Sequence, residues 1–173
     1  MAISLYTATV PSFLQYLAAL SGLLDKAEAH CSKQGIAPEA LTQARLAQDM
    51  LPFGYQVKST VVHSLRAIEA VRRGLFVPDQ EPVTAGLPVL RQMVRDAHTA
   101  LKALDPQEIN SFEGRDVRFQ LGDFRMDFTA EDFLFSLSQP NFYFHVTTAY
   151  DILRSMGVQI GKADYVGALR IKK

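Results

Sequence analysis

The sequence predicts an all-α fold, a four-helix bundle carrying one β-hairpin just before its last long helix. Three features predict it. Apolar residues recur every three or four positions in four separate stretches, Pro and Gly punctuate their ends, and between 117 and 128 the period drops to two. The 173 residues suffice for one domain, so 1–173 is expected to form a single unit with 158–173 as a C-terminal strap.

In the first helix, Thr9 is the expected cap and Pro11 the expected first-turn residue, where a missing N–H costs nothing. Phe13, Leu17, Leu20 and Leu24 then share one face, and Gly35 is the stop. A short segment begins near Pro38. Pro52 marks the start or a kink of the second helix, whose stripe is Phe53, Val57, Val61, Leu65 and Ile68, closed by Gly74. Leu90, Met93, Val94, Ala97, Leu101 and Leu104 make the third, which Asp105-Pro106 ends. Next, Val117, Phe119 and Leu121 alternate with polar residues, as do Phe124, Met126 and Phe128. Gly122-Asp123 between them suits a type II′ turn, which pairs Leu121 with Phe124, Phe119 with Met126 and Val117 with Phe128. Thr129 to Asp132 is a capping pattern that opens the fourth helix, with Gly157 as its stop and a kink expected at Ser138-Gln139-Pro140.

Composition excludes several function classes. Eighteen Lys+Arg balance eighteen Asp+Glu, and the one basic cluster is Lys172-Lys173, which argues against nucleic acid as a partner. The hydrophobic share of 48% against 21% charged is that of a globular protein and not of a disordered chain. A single cysteine, Cys31, cannot make an internal disulfide or a Cys-based zinc or iron–sulfur site. Its place near a helix C-terminus does not activate a thiol. The N-terminus has no charged leader and no apolar run reaches membrane length, so a cytoplasmic location without a membrane partner is expected.

The histidines are the candidates for chemistry. His30 and His98 fall on helix flanks, where dipole compensation or solvation explains them. His145 differs: it lies mid-stripe with Leu134, Ser138, Ala149 and Ile152, and Asn141 is one turn before it. Two strong hydrogen-bonding groups so placed need an answer. It is either an internal network, in which Asn141 and His145 satisfy each other or a water, or a ligand or metal. His63 is the one histidine on the second helix, about 120° from its stripe centre and beside Gln56, Thr60 and Ala67. Asp49 is an additional ligand or merely a cap. Tyr143 and Tyr150 point away from His145 and, with the apolar hairpin, offer surface for a homodimer.

Nearly the whole chain resembles the DinB/YfiT-like superfamily of four-helix bundles, many of them metalloenzymes, in a bacterial branch known as a domain of unknown function. The resemblance is most specific at Met1–Tyr6 (MAISLY), Leu23–Ala29 (LLDKAEA), Arg45–Met50 (RLAQDM) and Gln139–Tyr150 (QPNFYFHVTTAY). It implies a divalent metal, nickel or zinc, held by three histidines, one from the second helix and an H-x-x-x-H pair from the fourth. His63 matches the first position and His145 the last, while Asn141 stands where the remaining histidine belongs. A carboxamide oxygen is a poorer ligand than imidazole for these metals, which implies a weakened site or one that keeps its polar groups without its metal. Some relatives are thiol-using transferases or isomerases, in which the metal lowers the thiol pKa. The expectations are therefore an uncharacterised DinB-like protein with a polar pocket between the second and fourth helices, a metal-dependent thiol-using enzyme, or a non-catalytic dimeric module binding a small molecule.

Overall fold

The structure, a computed structural model, describes residues 3–172. Met1, Ala2 and Lys173, at the ends of the expected domain, lie outside the described residues. Helix α1 (Leu5–Gln34) starts earlier than Thr9 and Pro11 suggest. Ser4 caps it, its Oγ accepting from the Thr7 N–H, and Gly35 ends it at φ +64°. Pro11 thus lies inside the helix and leaves the Thr7 carbonyl without its helical donor, a cost that burial of Leu5, Val10 and Phe13 around it offsets. Thr9 caps nothing; its hydroxyl donates back to the Leu5 carbonyl at 2.7 Å. Contrary to expectation, α1 is long and apolar enough, by length and composition, to cross a membrane. Its apolar stripe is packed inside the fold: Phe13, Leu17 and Leu20 are fully buried.

After a short α2 (Pro38–Thr42), Pro52 caps the second long segment. It comprises α3 (Phe53–Val61), a π-helical turn (Val62–Arg66) and α4 (Ala67–Arg73), which Gly74 ends at φ +73°. The third, α5 (Leu87–Lys102), packs along α1, where Arg91 bridges Asp25 and Glu28. Asp105 then caps a short α6 (Pro106–Asn110), its carboxylate accepting from the Gln107 N–H at 3.0 Å.

The hairpin has the expected register. Strands β2 (Asp116–Leu121) and β3 (Phe124–Thr129) pair antiparallel with Val117 opposite Phe128, Phe119 opposite Met126 and Leu121 opposite Phe124. Gly122, at φ +57°, makes the turn. The alternation does not reveal a third strand: β1 (Leu75–Phe76) adds to β2 in parallel and brings Phe76 beside Phe119. Only Val117 of the six apolar hairpin residues is buried; Leu121 and Phe124 remain exposed.

The last long segment runs through α7 (Ala130–Asp132), a second π-helical turn (Phe133–Ser138) and α8 (Gln139–Ser155). The irregularity expected around Pro140 thus takes the form of a π turn immediately before it. In the strap, α9 (Lys162–Val166) lies along α1, and Arg170 donates to the Pro11 carbonyl. Tyr143 stacks edge-on to Tyr16 at 5.3 Å, and Tyr150 meets Tyr165 of α9 at 5.6 Å. Both tyrosines are thus half-buried against residues of their own chain.

Candidate functional site

Helices α3 and α8 pack side by side, and the two π turns meet across that contact. Each turn widens the backbone with i→i+5 bonding and alters which carbonyls remain free. The Ser138 hydroxyl uses this, donating to the His63 carbonyl at 3.1 Å. The two turns are thereby tied at the level of both candidate imidazoles.

His63 and His145 lie with ring centroids 5.6 Å apart and planes only 14° from parallel. The wheel turned His63 away from the core because it assumed one inward face. The second helix is in fact enclosed on several sides, with Gln56, Ser59, Thr60 and Ser64 all buried beside the aliphatic stripe. Its polar flank faces α8.

A hydrogen-bond chain orients His145. The Gln56 Nε2 donates to the Leu51 carbonyl at 2.8 Å, which turns Oε1 toward the His145 Nδ1, 2.7 Å away. Since Oε1 only accepts, Nδ1 carries the proton and Nε2 keeps its lone pair. Asn141 follows the same logic. Its Nδ2 donates to the Leu137 carbonyl at 2.7 Å, and its Oδ1 has no partner among the described residues. Asn141 and His145 therefore do not satisfy each other; the expected internal pair is replaced by Gln56–His145. The Nδ1 of His63 is buried and has no partner among the described residues.

Both rings are neutral near pH 7. Burial, with the neighbouring His145 second, pushes His63 down from 6.5 to about 4; burial alone does the same to His145. The rings open onto a cavity of about 400 Å³, walled by Tyr55, Phe76, Phe119 and Leu137, with Ser59 and Asn141 adding polar atoms. Phe76 lies 5.6 Å from His63, and Phe144 stands edge-on to His145 at 5.2 Å.

Of the other candidates, Asp49 is exposed in a turn and does not line this cavity. His98 lines a separate groove between α1 and α5, and His30 is half-buried near Gly157. Cys31 is buried, which pushes its thiol pKa up and leaves it unreactive.

The separation of the two imidazoles is compatible with an ion between them. With metal–nitrogen bonds of about 2.1 Å, two imidazoles sharing an ion have centroids at most roughly 6.4 Å apart, and the observed separation lies inside that limit. A proton on Nδ1 held by a carbonyl-type oxygen is the usual support of an imidazole ligand. The set stops there. No group of three or more His, Cys, Asp or Glu suited to a metal comes together among the described residues, so a third position falls to the Asn141 oxygen, water or a ligand.

Residues 5–166 match the family described as Domain of unknown function (DUF1993). The chain belongs to this family. A crystal structure of a DinB family member protein from Shewanella denitrificans is similar to it, with a TM-score of 0.80 at 28% identity over 98% of this chain and 95% of that chain. No curated protein matches. This DUF1993 chain thus has a DinB-like fold, mostly helical with a small three-stranded sheet, as its QPNFYFHVTTAY segment suggested. What the sequence missed in this DUF1993 site is Gln56. The signal was its spacing of seven from His63, two helical turns along the same flank.

Proposed function

We propose that this DUF1993 protein is a small-molecule-binding protein, built as a four-helix bundle, whose pocket recruits a divalent ion of the nickel–zinc class through His63 and His145. The observation that supports it is the Gln56–His145 hydrogen bond, which leaves an unprotonated, oriented Nε2 beside a second neutral imidazole. Gln56 fixes the tautomer and Ser138 holds the His63 backbone, so both rings are positioned before any ion arrives. Asn141 turns its oxygen to the site as a weak third donor. Phe76, Phe119 and Tyr55 give the cavity aromatic walls. An ion bound there would act as a Lewis acid on an oxygen or sulfur ligand and lower its pKa. With two strong donors instead of three, affinity is expected to be modest and the ion exchangeable, which favours a binding role over a permanently loaded metalloenzyme.

The test is calorimetric titration of untagged, EDTA-treated protein with zinc and nickel at neutral pH. One ion per chain is expected, with binding lost in His145→Ala and weakened at least about tenfold in His63→Ala. Zinc and nickel that fail to bind, or bind equally to His145→Ala, would overturn the proposal.

A further inference from the structure

We infer that two copies of this chain join edge to edge along β3, merging their three-stranded sheets into one, with Arg125 of each copy opposite Asp127 of the other. The inference uses no residue of the His63–His145 pocket and stands apart from its proposed function. Strand β3 is an outer strand of the sheet, whose order is β1-β2-β3. The ladder within the chain decides which of its backbone groups are free. The Ala130 N–H donates to the Arg115 carbonyl at 2.8 Å, and Val117 lies opposite Phe128. Bonded pairs alternate in an antiparallel ladder, so Phe124, Met126 and Phe128 turn their N–H and C=O groups to β2. Arg118 has the same phase: its N–H turns away from β3 and donates to the Gly74 carbonyl at 2.9 Å. The backbone groups of Arg125 and Asp127 therefore point out of the sheet, and both residues are exposed. Such an edge is a template for a further strand.

Charge selects both the occupant and its register. A two-fold axis at Met126 sets Arg125 opposite the partner's Asp127 and Asp127 opposite the partner's Arg125, each pair also joined through the backbone. The smallest slip that keeps the outward groups facing is two residues. In one direction it sets Arg125 against the partner's Arg125, and in the other Asp127 against the partner's Asp127, like charges that repel. Charged residues commonly guard an edge, but guards of one sign repel every copy; the alternation here rejects the slipped registers and suits this one. Both side chains have capacity for it. Asp127 is bound within the chain by Arg118 at 2.7 and 3.0 Å, which leaves lone pairs on its carboxylate, and Arg125 has no ion-pair partner among the described residues. The other face of the strand is apolar. Phe124 is 57% exposed, and Met126 and Phe128 are half-buried. The same axis sets Met126 against the partner's Met126 and Phe124 against the partner's Phe128, covering surface that the single chain leaves wet. The contact is small, so association is expected to be weak and concentration-dependent.

The test is sedimentation equilibrium of the full-length protein from about 10 μM to about 1 mM, the range in which a small interface assembles. A monomer–dimer equilibrium is expected. Arg125→Asp should weaken it at least about tenfold, since both cross-strand ion pairs become like-charged. Mixing Arg125→Asp with Asp127→Arg, each folded by circular dichroism, should restore a one-to-one dimer, because every opposed pair is then of unlike charge. A pair of single-cysteine substitutions reads the register. Met126→Cys meets its own copy across the axis and should form a disulfide-linked dimer with oxidised glutathione. Phe124→Cys is more exposed but lies opposite the partner's Phe128, away from its own copy, and should not. Cys31 is buried and stays out of the exchange. Four results would each overturn the inference: a monomer throughout, association that survives Arg125→Asp, a mixture of the folded variants that stays monomeric, or Phe124→Cys crosslinking as readily as Met126→Cys.

Discussion

Acid should unfold this protein through its two stacked imidazoles. In the folded chain His63 and His145 protonate at about 4, whereas an exposed imidazole protonates near 6.5. Protons therefore bind the unfolded chain better. The stabilisation is complete above pH 6.5 and disappears as pH falls from there through about 4. At about pH 5 each ring should already have lost about 2 kcal/mol, and the pair about 4. For a chain of this size each kcal/mol moves Tm by roughly 2–4 °C, so the pair predicts a fall of roughly 8–16 °C relative to about pH 7.5. The assay is thermal melting followed by far-UV circular dichroism at both pH values, on the native sequence and on His63→Gln/His145→Gln. Because every other ionisable group is common to both proteins, the difference between the two pH responses isolates the pair. Equal falls in the two proteins would refute the reasoning, whatever the absolute stability of the variant.

Two further outcomes follow from the hydrogen bonds around the pair. Gln56→Leu should cost about 1–3 kcal/mol in urea denaturation, because it strands the buried His145 Nδ1–H, and should weaken zinc binding roughly 10–100-fold in the calorimeter. Ser138→Ala, which removes the part-buried bond to the His63 carbonyl, should cost about 1 kcal/mol by urea midpoint with an unchanged m value.

Local patterns were legible in the sequence where one rule dominated. The hairpin register followed from strict alternation around a Gly-first turn, and Gly35 and Gly74 stopped their helices because only a left-handed residue closes those ends cheaply. Pro11 misled because proline was read as a start signal, whereas the buried Val10 and Phe13 beside it carry the helix through. β1 has two residues, too few to show a period, yet it sets Phe76 against His63.

The candidate site was half legible. His145 stood out as an imidazole on an apolar stripe, and Asn141 lines the same cavity one turn away. His63 seemed misdirected because a helical wheel describes a regular helix with one buried face, and this one has a π turn and several. The spacing of seven puts Gln56 on the flank of His63, but which atom it turns to His145 depends on where the Leu51 carbonyl lies, a feature of the turn before α3.

The account turns on a single proton, the one on Nδ1 of His145. Nitrogen-15 NMR of the imidazole rings in the metal-free protein at neutral pH measures it directly. The prediction is a neutral His145 ring with Nδ1 protonated and Nε2 bare. A ring protonated on Nε2 instead, or on both nitrogens, would contradict the oriented lone pair on which the pocket's chemistry rests.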